Sequence, residues 1–259
     1  MLMTTKKIDF FFFLMVLFFV TKSFAVDTHQ NLPGQLNPDE YLVSKNSEII
    51  NKSIRKGESS LNFTYYRDTF DYGDSRGSFK RTYDDGFQSV RAGILQIGYD
   101  EFIYKGPVDL SLGGNVGIGH SRGRGSFAGG ETSDTTFQLW SIPVDFIVAL
   151  DIPLYYYAKF GVYVGPSLMG LMQTRNDKNH SESKKTRNQF SYGYVAGARF
   201  RLGLSEIFPA SMFGFFSNYN ISNVYINIEM QTRNYSHFLD KDISIEGSSI
   251  GLGFSFEYL

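Results

Sequence analysis

The feature that most constrains this chain is a period of two in hydropathy, repeated about eight times. The clearest instance is Val108 to Ile118, where Val108, Leu110, Leu112, Val116 and Ile118 alternate with Asp109, Ser111, Gly113, Asn115 and Gly117. In a strand, successive side chains point to opposite faces, so this pattern gives one apolar and one polar face. Similar stretches are predicted over Ser59–Arg67, Phe87–Tyr99, Thr135–Leu150, Leu154–Leu168, Gln189–Leu204, Ile221–Thr232 and Ile245–Tyr258. In Phe87–Tyr99 the phase changes near Ile94-Leu95, which calls for a β-bulge.

The chain opens with Lys6, Lys7 and an apolar run from Phe10 to Val20, followed by Ser23-Phe24-Ala25. A run of roughly 11 apolar residues is too short for a membrane helix, and with a small-x-small end it reads as a cleavable export signal over 1–25. Residues 26–57 lack the alternation of the later chain. Asn37 and Pro38 have the character of a helix start, so this stretch is expected to be a short periplasmic extension, a helix or a mobile tail. The repeated strands occupy 58–259. The chain has no cysteine, which removes disulfides and lipoprotein anchoring, and a net charge of -1 gives no nucleic-acid signal.

Links of unequal length support a closed membrane barrel. Long polar links fall at 68–86, 120–134, 173–188 and 233–244, and tight ones at Asp100 to Gly106 and Asp151 to Pro153. Alternating long and short links place loops outside and turns in the periplasm, and eight strands return both termini to the periplasmic side. Ser205 to Asn220 breaks this rhythm. It is long and apolar, and reads either as an extension of the flanking strands or as a short interfacial helix.

In a membrane barrel the apolar phase faces lipid. The lumen then receives Arg91, Asp109, Asp145, Lys159, Arg199, Arg201, Glu229 and Glu257, four charges of each sign, with Ser111, Asn115, Tyr157, Tyr163, Asn227 and Gln231. Eight strands enclose little more than their own side chains, so these charges are expected to pair and close the interior. A soluble barrel would invert the faces and enclose Phe146, Phe160, Phe200, Phe254 and Phe256 instead. Glycines in the polar phase and aromatics near strand ends favour the membrane arrangement.

Tyr155-Tyr156-Tyr157-Ala158-Lys159-Phe160-Gly161-Val162-Tyr163-Val164-Gly165 resembles an aromatic-x-Lys-x-Gly strand of small outer-membrane β-barrel proteins, the opacity-protein and OmpA-membrane-domain type. Ser249 to Leu259 is similar to the closing strand of that group, with Tyr258 one place before the end. The resemblance covers roughly 58–259. It implies an eight-stranded antiparallel up-and-down barrel in the bacterial outer membrane, recognised through its last strand by the barrel assembly machinery. It implies a fold and no particular activity.

Chemistry is sparse. The histidines His29, His120, His180 and His237 share no metal-ligand spacing, no nucleotide fingerprint occurs, and neither a metal nor a cofactor is expected. Gly123-Arg124-Gly125 reads as a flexible loop. Ser236, His237 and Glu246 form a candidate constellation for a lipid A acyl hydrolase; in the deacylase family the serine follows the histidine within the strand, whereas here it precedes it. Arg175, Lys178, Lys184, Lys185 and Arg187 form a basic segment that would face lipopolysaccharide phosphates. The link 68–86 mixes Phe70, Tyr72, Phe79 and Tyr83 with charges; it could contact an extracellular ligand or pack on other loops. The leading expectation is a non-enzymatic surface protein with a structural, adhesion or envelope-integrity role. The alternatives are a narrow pore and a lipid A-modifying enzyme.

Overall fold

The computed structural model describes residues 57–75, 77–84, 89–126, 131–155, 157–176, 185–205, 207–236, 238 and 243–259. The predicted signal, nearly all of the 26–57 extension with its Asn37 start, and His237, Lys178 and Lys184 lie outside them.

Nine strands form one antiparallel sheet: β1 (Ser59–Tyr66), β2 (Asp71–Gly73), β3 (Val90–Tyr104), β4 (Asp109–Ser126), β5 (Thr132–Tyr155), β6 (Ala158–Asn176), β7 (Lys185–Gly203), β8 (Ile221–Tyr235) and β9 (Ser244–Tyr258). All but β2 pair in chain order, and β1 also pairs with β9, so eight strands close into an up-and-down ring. β2 adds to β9 above the end of β1, through Asp71↔Glu246 to Gly73↔Ser244.

The register sets the size of the ring. Following direct partners from Ser59 leads through Glu101, Leu112, Val148, Val164, Ala196 and Thr232 to Ser248, yet Ser59 itself pairs with Tyr258. One circuit therefore displaces the register by ten residues. With strands about 4.8 Å apart and a rise of about 3.3 Å per residue, eight strands tilt by roughly 40° and lie about 8 Å from the axis. That radius leaves space for side chains alone.

The strands are longer than the hydropathy pattern indicates. β5 has 24 residues and β6 and β7 have 19 each, whereas a tilted strand crosses a bilayer in about 9–11. Asp100 and Asp151, placed in links by sequence, lie inside β3 and β5, and Gly123 to Gly125 lie on β4. Tyr157 sits exposed in the β5–β6 turn and not in the lumen. The bulge in β3 falls between Arg91 and Ile94, at Gly93 with φ +88°, slightly before the predicted place. Val90, Ala92 and Leu95 can then all point outward while Ile94 points in.

Two helices interrupt the ring. In the β1–β3 loop, α1 (Ser78–Tyr83) starts where Asp74 accepts hydrogen bonds from the backbone N–H of Ser78 (2.9 Å) and Phe79 (3.0 Å). In the β7–β8 connection, α2 (Pro209–Tyr219) has Pro209 at its first position and stops at Asn220 in the left-handed region, φ 56°. Of the two readings of Ser205 to Asn220, the helix is the one observed. α2 lies at the end of the barrel that holds Ser59 and Tyr258, and α1 lies at the opposite, loop-bearing end.

α1 approaches β4 so closely that a Cβ on Gly123 would fall 1.6 Å from the Thr82 carbonyl oxygen. Gly123→Ala is expected to dislodge α1 at a cost of about 1–3 kcal/mol while the ring stays closed. Limited proteolysis should then cut within 67–89 far faster than in the parent, with an unchanged heat-dependent gel shift. Equal protection in both proteins would refute the tight contact.

Candidate functional site

The lumen contains the chain's polar chemistry, arranged in layers. Nearest the termini, the Lys159 ammonium lies 2.6 Å from Glu257 Oε1 and 3.3 Å from Asp109 Oδ2, and Lys105 reaches Glu257 Oε2 at 3.4 Å. Lys105 lies in the β3–β4 turn, where burial pulls its ammonium below the ordinary lysine value and Glu257 opposes the shift. Above it, Arg199 grips Asp151 through Nε (2.9 Å) and Nη2 (2.7 Å) and reaches Asp100 through Nη1 (2.9 Å). Arg201 stands within 3.4 Å of Asp100 and 3.7 Å of Asp151. Room for these carboxylates comes from facing glycines: a Cβ on Gly161 would fall 1.9 Å from Asp151 Oδ1.

At mid-height Glu229 makes no ion pair among the described residues. Its carboxylate accepts hydrogen bonds from the hydroxyls of Tyr66 and Thr64 and from the Asn227 amide. It borders a void of ≈ 20 Å³ lined also by Asn62, Gln96, Asn115, Tyr163 and Arg199, enough for about one water. Higher still, Arg233 clasps Asp145 with two bonds of 2.8 and 2.7 Å, and Gln96, Ser167 and Tyr235 complete the layer.

Above Arg233 the interior turns apolar. Ile94, Leu139, Met169, Leu171 and Ile245 meet Phe70, Tyr72, Phe79 and Tyr83 from the β1–β3 loop, together with Phe238. None of these is more than 8 % exposed. The loop thus folds back as a plug in the barrel mouth. Phe79 stacks edgewise on Tyr72 (5.6 Å) and Tyr83 (5.0 Å), and Gln173 donates to the Tyr83 hydroxyl at 3.0 Å. Arg91 fastens the plug through Asp68 and Asp84, both at 2.7 Å, and through the Phe70 carbonyl, with its guanidinium 4.7 Å from the Tyr72 ring centre.

All eight charges assigned to the lumen from sequence are inside or at its mouth. Seven lie within the barrel, and Arg91 serves the plug. Sequence reasoning missed Asp100, Asp151, Arg233 and Asp68. The basic segment is divided: Arg175 and Lys185 are register partners at the tops of β6 and β7, and Arg175 and Arg187 are exposed. Ser236 is exposed, and Glu246 is exposed beside Asn234 (3.4 Å), on the outward side of β9. Among the described residues no cluster of His, Asp or Glu could hold a metal.

The outer surface is the reverse of the interior. Leu95, Ile97, Leu112, Val116, Phe146, Val148, Val162, Val164, Ile228 and Leu252 are each between 45 and 58 % exposed and form a continuous apolar belt. Such a belt around a charged core is stable only with hydrocarbon outside. The chain is a transmembrane β-barrel. No described helix is long and apolar enough to cross a membrane, so the crossing is made by strands. Tyr65, Trp140, Phe190 and Tyr192 border the belt on the loop side, and Tyr99, Tyr104 and Tyr157 on the other.

Known proteins of similar build are small outer-membrane barrels. The attachment invasion locus protein of Yersinia pestis is 12% identical, with a TM-score of 0.43 over 77% of this chain and 99% of that one. OprG of Pseudomonas aeruginosa is 10% identical, with a TM-score of 0.40 over 78% and 96%. Neisserial surface protein A is 11% identical, with a TM-score of 0.38 over 77% and 96%. The sequence matches no protein-family model and no curated protein. Assignment of the barrel rests on the strand pairing and the inverted faces.

Two outcomes are expected from this geometry. Removing one partner of the buried Arg233–Asp145 pair, as in Arg233→Met, should cost about 3–5 kcal/mol, whereas Arg233→Met with Asp145→Leu should recover most of it. Urea unfolding in lipid vesicles measures both, and equal losses in the single and double variants would show the pair to be uncoupled. The phenols of Tyr72 and Tyr83 are raised above the ordinary value, chiefly by burial, and for Tyr72 also by Asp68. A phenol raised in the folded state contributes fully below its unfolded value, about pH 10, and loses that contribution as pH rises further. The plug should therefore loosen above about pH 10, and Tyr72→Phe with Tyr83→Phe should shrink the late-titrating part of the absorbance at 295 nm by two tyrosines. Titration of all tyrosines together would contradict the sealed plug.

Proposed function

We propose that this chain is a non-conducting bacterial outer-membrane surface protein with a structural, adhesion or envelope-integrity role. The observation that carries this reading is the doubly closed lumen: ion-paired layers fill the half near the termini and an aromatic plug fills the mouth. A solute path would have to break buried pairs at several levels, each costing several kcal/mol. Chemistry is thereby left to the loop end, where β5, β6 and β7 carry the sheet beyond the apolar belt.

In this reading the signal at 1–25 directs export, both termini face the periplasm, and the last strand is offered to the barrel assembly machinery. The loop end stands among lipopolysaccharide headgroups, and the exposed Arg175 and Arg187 give that end positive charge that attracts their phosphates. The acyl-hydrolase reading has less support, because Ser236 and Glu246 lie at the outer rim and Glu246 is engaged by Asn234.

Current recordings in planar bilayers test the closed lumen. The parent protein should give no unitary steps, and a variant lacking residues 68–84 should remain silent because the ion-paired layers persist. Steady unitary currents from the parent would replace this reading with the narrow pore.

A further inference from the structure

The connection from β7 to β8 does more than turn the chain. α2 packs through Met212 and Phe215 against Leu204, Val224, Phe256 and Tyr258. Val224 and Phe256 are cross-strand partners and share the outward phase with Ile226, Ile228 and Leu252, the lipid-facing belt. The helix therefore lies against the outside of the barrel, at the terminal edge of the belt.

From Ile207 to Asn223 the sequence has no charged residue. The barrel side of α2 is covered, yet Phe216 is only half-buried and Ile207 and Tyr219 remain 63 and 64 % exposed. On the helix, Gly214 and Ser217 fall on the side away from Met212 and Phe215, and Ser211 and Asn218, both exposed, lie beside Phe215 at the edge of that side. The segment thus has three environments around its axis: the barrel, a partly uncovered aromatic flank and a small polar flank. A helix with that distribution suits the boundary between acyl chains and headgroups. The Leu259 backbone N–H donates to the Asn220 carbonyl at 3.0 Å, tying the end of β9 to the end of α2.

We infer that α2 is a phospholipid-binding element that seats this connection in the leaflet nearest the termini. The occupant of its uncovered flank is lipid, because that flank continues the belt that hydrocarbon already covers. The inference rests on the transmembrane barrel and is independent of what the loop end binds.

Trp140 is the only tryptophan, so a single reporter can be moved. In a Trp140→Phe background, Phe216→Trp and, separately, Tyr219→Trp would be reconstituted into phosphatidylcholine vesicles brominated either near the headgroup or deep in the chain. Leu252→Trp provides the deep reference, and the heat-dependent gel shift shows that each variant is folded. The α2 reporters should show blue-shifted emission and lose more intensity to the shallow bromines, while Leu252→Trp loses more to the deep ones. Water-like emission that neither lipid quenches would overturn the inference. Quenching that vanishes as the protein-to-lipid ratio rises would also overturn it, by giving the flank to a second copy of the chain.

Discussion

Ring closure at a ten-residue displacement is the constraint on which the rest of this structure depends. It sets the radius, and the radius turns every inward charge into a buried one. Buried ions require partners with close geometry, since desolvation otherwise exceeds attraction. The arrangement meets that condition unevenly. Arg199, Lys159 and Arg233 each contact a carboxylate at 2.9 Å or less, whereas Arg201 lies no closer than 3.4 Å to any among the described residues. Glycines such as Gly113 and Gly161 give the carboxylates of Asp100 and Asp151 the space to lie across neighbouring strands.

The same constraint explains what could be read in advance. Outward residues within the belt must be apolar and inward ones polar, so period two is strong there, and the eight strands and seven of the barrel charges are legible. Beyond the belt the outward residues meet water, and the apolar signal disappears while the strand continues. The tops of β5, β6, β7 and β8 therefore read as loops, which hid Arg233. Asp100 and Asp151 were hidden differently, by nearby turn-forming residues: Gly106 and Pro107 for the first, Pro153 for the second. Pro153 nevertheless lies within β5, opposite Lys159.

The plug had a signal that alternation alone passes over. Ile94, Leu139, Met169, Leu171 and Ile245 are apolar residues in the inward phase, all in the loop-side halves of their strands. An inward apolar patch at one end of a polar lumen demands an apolar cover. The aromatic β1–β3 loop is the segment with the rings to supply it. Folding the loop inward buries four aromatic side chains, each contributing about 1.5–3 kcal/mol for a Phe-sized group, and leaves Arg91 to satisfy Asp68 and Asp84.

The ion pairs also bear on how the ring assembles. Asp100 and Arg199, Asp145 and Arg233, and Lys159 and Glu257 are separated by 99, 88 and 98 positions. None of these contacts belongs to a single hairpin. A hairpin inserted alone would place unpaired charges on its inward face, at a cost its own strand pairing cannot offset. Such distant contacts become favourable only as the last strands arrive, so closure between β1 and β9 and completion of the lumen are one cooperative event. The polar layers near the termini therefore favour the closed ring over any open intermediate. The apolar plug can settle afterwards, because its partners are already in place when the mouth forms.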